Sequence, residues 1–160
     1  MDRRIRLLLD FIDQSFSGSS WHGTPLWGSV RGVAAAQAHW QPGRGRHSIW
    51  EFVLHTAYWK CMVRRRLVQD WDIKFPLPGS NWPAVPERSA AALWKRDREL
   101  LKHEHQLLRH AVARFDADRL GRRGARSKWR SVQEIYGIAS HDLYHAGQIQ
   151  LVKRLYAQRG

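Results

Sequence analysis

The chain has a single cysteine, Cys61, which excludes an intrachain disulfide and every zinc site built on cysteine pairs. A lone thiol fits a reducing compartment. Negative charge is also scarce: 14 acidic residues stand against 27 Lys and Arg, and the net charge of +13 would attract nucleic acid, anionic membrane or acidic small molecules. Long apolar runs are missing as well. Asp2, Arg3, Arg4, Arg6, Asp10 and Asp13 interrupt the first residues, so no secretory leader is read there, and nothing elsewhere approaches the ~20 apolar residues of a membrane span. A cytoplasmic protein without a membrane partner is expected. What is abundant is aromatic mass, with nine Trp, four Tyr and five Phe, enough to build the core of one domain over residues 1–160.

Apolar residues fall at helical spacing, and alternating strand patterns are absent. Ile5, Leu8, Leu9 and Ile12 mark one face of a first helix over 2–16, closed by Gly18, Ser19 and Ser20. Thr24-Pro25 offers a cap and a first-turn proline, so a shorter helix is expected to about Ala38. Ser48-Ile49-Trp50-Glu51 has the capping-box pattern and opens a long helix to about Gln69, with Phe52, His55, Trp59, Met62 and Arg66 as its inward stripe. Residues 71–86 hold four prolines and a glycine, which neither a helix nor a central strand accepts. This segment reads as a long crossover of the kind that packs as a lid. Pro86 should start a third long helix to about Phe115, with Leu93, Leu100, Leu101, Leu107, Leu108, Ala111 and Val112 inward and Lys95, Arg98, Lys102 and Arg109 outward. A second capping box, Ser131 to Glu134, opens the last helix, which ends near 158. The fold class is all-α: a four-helix bundle with one additional short helix and a long Pro-rich crossover, whose length favours a non-sequential wiring.

The last helix contains HDLYHAGQI at 141–149, in which His141 and His145 lie four apart on one face with Cβ atoms about 5–6 Å from each other. That spacing converges two nitrogens on one ion without backbone strain. His55 sits mid-helix on an apolar stripe, where an unpaired imidazole is costly. His55, His141 and His145 are therefore the expected metal ligands, leaving a coordination position open for water or substrate. Imidazole accepts Zn²⁺, Ni²⁺, Fe²⁺ and Mn²⁺ alike. His103, His105 and His110 lie in a charged helix and should face solvent, while His39 and His47 border loops. His22, in the WHG motif at 21–23, either lines a cavity mouth or caps and packs. Asp142 stands where an acid either orients a ligand ring or lies exposed. Tyr144 and Trp59 are pocket walls or core, and Cys61 is rotated roughly 240° from His55 around the helix, away from any shared site.

The order of WHG, HSIWEFVLHTAYW at 47–59, FPLPGSNWP at 75–83 and GIASHDLYHAGQIQLVKRL at 137–155 resembles the DinB-like family of metal-binding four-helix bundles. That family is named for DNA-damage-inducible members and is similar in core architecture to thiol-dependent S-transferases and the mycothiol-dependent maleylpyruvate isomerase. The resemblance implies a metal triad at His55, His141 and His145 and a long crossover between the second and third main helices. It further implies a metal-dependent enzyme, with thiol S-transferase or hydrolase-like chemistry on a small-molecule substrate, a low-molecular-weight thiol as a second cofactor, and a bacterial stress-response setting.

Positive charge is clustered at Arg64-Arg65-Arg66 and at RLGRRGARSKWR, 119–130, whose six basic residues and no acid are more than the family pattern requires. They read as a solvated helix flank and a loop rather than as a nucleic-acid footprint. The alternative is a basic nucleic-acid or anion-binding stress protein whose metal site is structural or vestigial. Trp71 and Trp82, read as exposed, would suit a homodimer face.

Overall fold

The computed structural model describes residues 1–124 and 126–159. Its helices are α1 (Arg3–Phe16), α2 (Leu26–Ser29), α3 (Ala35–His39), α4 (Ile49–Val68), α5 (Ala91–Ala113) and α6 (Ser131–Gln158), with a 3₁₀ turn at Ala117–Arg119. No strand forms among the described residues, so the all-α bundle stands. No helix is long and apolar enough to cross a membrane.

The four long helices close a ring in which α1 packs on α5 and α6, and α4 packs on α5 and α6. Chain direction follows from the contacts. Asp13 meets Arg109 and Phe16 meets His105, so α1 and α5 are antiparallel. Trp50 bonds Asp97 and Arg64 bonds Glu104, so α4 and α5 run parallel. His55 faces His141 and Arg66 faces Glu134, so α4 and α6 are antiparallel. The wiring is non-sequential as expected, although the Pro-rich segment does not cause it. Parallel neighbours need a return connection as long as a helix, and residues 69–90 supply it; the diagonal steps are made by 17–48 and 114–130.

Local chemistry sets the ends. Asp2 accepts from the Arg4 N–H to open α1, and the expected capping box of α4 is present, with Ser48 and Glu51 bonding reciprocally. Three boundaries differ from expectation. The short helix after Pro25 is two helices, because Gly32 takes φ 72°, a left-handed turn that no α-helix continues through. Helix α5 begins at Ala91 and not at Pro86, since residues 87–90 stay outside the helix and Ala90 is its extended N-cap. The cap of α6 is Arg130, whose N–H donates to Gln133; Ser131 donates to the Arg122 carbonyl and Glu134 pairs with Arg66.

Burial splits at mid-height. One apolar cluster is built on Trp50, Val53, Leu54, Trp94, Leu101 and Ile149, and a second on Ile5, Ile12, Leu67, Leu108, Val112 and Ile135. Between them lies a polar layer containing Lys60, Glu104, His105 and Asp142, all buried. Of the stripe expected to face the core from α4, Phe52 and His55 are buried, but Trp59, Met62 and Arg66 are half-buried, and His55, Trp59 and Arg66 wall a cavity. Core contacts come from Trp50, Val53, Leu54, Ala57 and Cys61.

Candidate metal centre

His55 on α4 and His141 and His145 on α6 meet across the antiparallel helix pair. Their ligand nitrogens all lie within 4.8 Å of one another, and His141 Nε2 is 3.0 Å from Nε2 of both His55 and His145. Ligands about 2.1 Å from one ion and 90–109° apart would stand roughly 3 Å from each other, so this is coordination spacing. The three sequence-expected residues form one cluster compatible with a metal site.

The partners of the other ring nitrogens decide the tautomers. His55 Nδ1 is 2.7 Å from the Asn81 carbonyl, and His145 Nδ1 is 2.6 Å from Gln148 Oε1. An oxygen of either kind only accepts, so both Nδ1 atoms carry the proton and both Nε2 atoms present bare lone pairs. His141 Nε2 can hold one hydrogen, which satisfies one neighbour and leaves the other facing a lone pair. A cation among the three removes that repulsion, and the donor set therefore fits one. Burial, foremost, holds all three imidazoles neutral: His55 is shifted down, His145 to about 4 with help from nearby His55, and His141 to about 3 with help from His145, His55 and Lys60.

The crossover roofs the cluster. Trp82 stacks on His55 at 3.9 Å, and His47 stacks on the far face of Trp82 at 3.6 Å. Trp59 donates its indole N–H to Asn81 Oδ1, fixing the residue whose backbone orients His55. Trp82 and Trp71 are therefore not exposed as expected: Trp82 is spent on the site, and Trp71 lies between the guanidiniums of Arg65 and Arg126.

A cavity of about 570 Å³ opens beside His55 and His141, with Trp59, Val63, Ile138, Trp129, Tyr136 and the Arg66–Glu134 pair among its walls. Trp59 thus lines a pocket as one of its two expected roles. Tyr144 does neither of its own, being 65% exposed at the edge of His145. His22 is exposed and lines no mouth of this cavity. Cys61 is buried against Glu104, its thiol pushed up to about 11 by desolvation, and takes no part.

Two expectations about charged helix faces are overturned. Asp142 is neither exposed nor bonded to a ligand ring; it is buried in an ion pair with Lys60 at 2.5 Å. His105 is buried and stacked on Phe16 at 3.6 Å, because the α5 stripe of Trp94, Leu101, Leu108 and Val112 passes through it. His103 and His110 do face solvent, His39 bonds the Pro86 carbonyl, and His47 bonds Glu51. Sequence reasoning missed Asn81, Gln148, Trp129 and Tyr136; only Gln148 carried a signal, three residues after His145 on the same helix face.

A helical bundle with a roofed, neutral three-histidine cluster beside an apolar cavity defines the class of this protein. The family model described as the DinB superfamily matches residues 21–149, and the chain belongs to that superfamily. No curated protein and no solved structure matches it.

Proposed function

We propose that His55, His141 and His145 hold one divalent ion, Zn²⁺, Ni²⁺, Fe²⁺ or Mn²⁺, through their Nε2 atoms, and that the chain is a metal-dependent enzyme acting on a small molecule in the adjoining cavity. The supporting observation is the convergence of three neutral imidazoles, two with their inward lone pairs set by Asn81 and Gln148. When bound, such an ion supplies the charge that lowers the pKa of a water or thiol at the open position. Asn81 and Gln148 keep the rings oriented, and Trp82 covers one face of His55 and excludes water there. Trp59 and Ile138 offer an apolar wall against which an electrophile is held. Transfer of a low-molecular-weight thiol to such an electrophile is the reaction class proposed, with hydrolysis as its variant when water takes the thiol's place.

The test is metal stoichiometry by mass spectrometry on protein purified without a nickel column, for the native chain beside His145→Ala. About one ion per chain in the first and none in the second is expected. No ion in either, with the fold intact by circular dichroism, would make the histidines packing residues and leave the cavity without a reactive centre.

A further inference from the structure

The walls of the cavity carry chemistry that the ion does not use. Its volume of about 570 Å³ falls within the roughly 300–1,000 Å³ of small-molecule sites. Three aromatic rings converge on it from separate parts of the chain: Trp59 from α4, Tyr136 from α6 and Trp129 from the loop before α6. Trp129 is 50% exposed and Tyr136 43%, so these two rings stand where the cavity meets solvent. Rings that converge on a hollow and remain half bare have apolar area left to bury against a ligand.

Charge around the rings is one-sided. Arg66 and Glu134 both line the cavity, but they close on each other at 2.9 Å and cancel, with Ser127 donating to the same carboxylate. Lys128 is not part of the lining but stands exposed at the rim, its ammonium 5.2 Å from the centre of the Trp129 ring and in no ion pair among the described residues. The loop around it, 119–130, contains six basic residues and no acid. An anion arriving at Trp129 meets the Lys128 ammonium, while Glu134, the one carboxylate of the lining, is engaged by Arg66 and Ser127.

We infer that the cavity takes a planar aromatic anion, a carboxylate or sulfonate on a ring system, with the ring against Trp129, Tyr136 and Trp59 and the charge on the Lys128 side. This names the substrate class of the site proposed above and rests on that reading for the reaction, though not for binding, because the rings and Lys128 are in place without an ion. It also gives the basic loop a role in selecting the substrate.

A matched pair of fluorescent probes tests it: 1-anilinonaphthalene-8-sulfonate and its uncharged analogue N-phenyl-1-naphthylamine, titrated into metal-free protein. The sulfonate should saturate a single site per chain and bind about threefold or more tighter than the neutral ring. Trp129→Ala should weaken both probes about tenfold, and Tyr136→Ala should act in the same direction. Both positions are exposed, so neither substitution opens a hole in the core, and circular dichroism checks that each variant is folded. Lys128→Glu should weaken the sulfonate alone. Equal affinity for the two probes, several equivalent sites, or indifference to both aromatic substitutions would overturn the inference. His145 does not line this cavity, so His145→Ala should keep probe binding while losing the ion. A chain that binds the probe and no ion therefore refutes the metal reading alone, and one that binds the ion and no probe refutes this one alone.

Discussion

Asn81 and Gln148 decide which nitrogens of two imidazoles face inward, and they do so differently. Asn81 uses its backbone oxygen, from a residue at φ 59°, a left-handed conformation that asparagine tolerates better than most. Gln148 uses its side chain, so it can be removed without touching the backbone. Outer partners of this kind typically tune metal affinity 10–100-fold, and Gln148→Ala should weaken the ion within about that range in a competition titration against a chelator. Unchanged affinity would show that packing against Phe52 alone fixes the His145 ring. The metal candidates were legible in the sequence because His141 and His145 share a helix face and His55 interrupts an apolar stripe. Asn81 was not, since its partner lies 26 residues away in a segment without periodicity, where no local pattern reports who accepts whose hydrogen. His105 was misplaced because charged neighbours at Lys102, His103 and Glu104 hid its register with Leu101 and Leu108.

At the scale of elements, α4 and α6 are joined by more than the histidines. Lys60 and Asp142, the residue next to His141, form a pair with both side chains 1% exposed; burial pulls the ammonium down and the carboxyl up, each opposed by the charge of the other. Removing one partner strands the other in the core, so Lys60→Met should cost about 3–5 kcal/mol in urea unfolding, whereas Lys60→Met with Asp142→Leu should recover most of that loss. A double variant as unstable as the single one would mean the pair is stabilising in itself. The same pair explains why α4 was read imperfectly. A lysine marks the solvent face in an amphipathic helix, but α4 is enclosed by α5, α6 and the crossover, so periodicity could not separate core from site wall. Helix identities survived this because caps and apolar spacing are local signals. The boundary at Ala91 and the pairing of parallel helices depend on tertiary packing, and neither left a trace near Pro86.

For the whole molecule, the buried imidazoles make stability depend on pH. His105 is held down to about 2 by burial and by the charges of Lys60 and Arg109, His141 lies at about 3 and His145 at about 4, all below the ordinary value of 6.5. A depressed folded pKa means that the unfolded chain binds the proton first. Stability is then complete above 6.5 and is lost as pH falls from there toward 4 and below. Without an ion, each of the three groups should withdraw about 1–2 kcal/mol between pH 7 and pH 5. At about 2–4 °C per kcal/mol for a chain of this size, the thermal midpoint should fall by roughly 6–24 °C over that interval. Acid also raises an already high positive charge, which lowers stability by repulsion and so mimics the effect. His105→Leu separates the two causes, because it removes one buried proton site outside the histidine cluster and leaves the charge of the folded protein at pH 5 to 7 unaltered. The variant should lose less midpoint than the native chain between the two pH values, by up to about a third, whatever its absolute stability at pH 7. An identical fall in both would remove His105 from the proton linkage and leave the acid limb to the histidine cluster and surface repulsion.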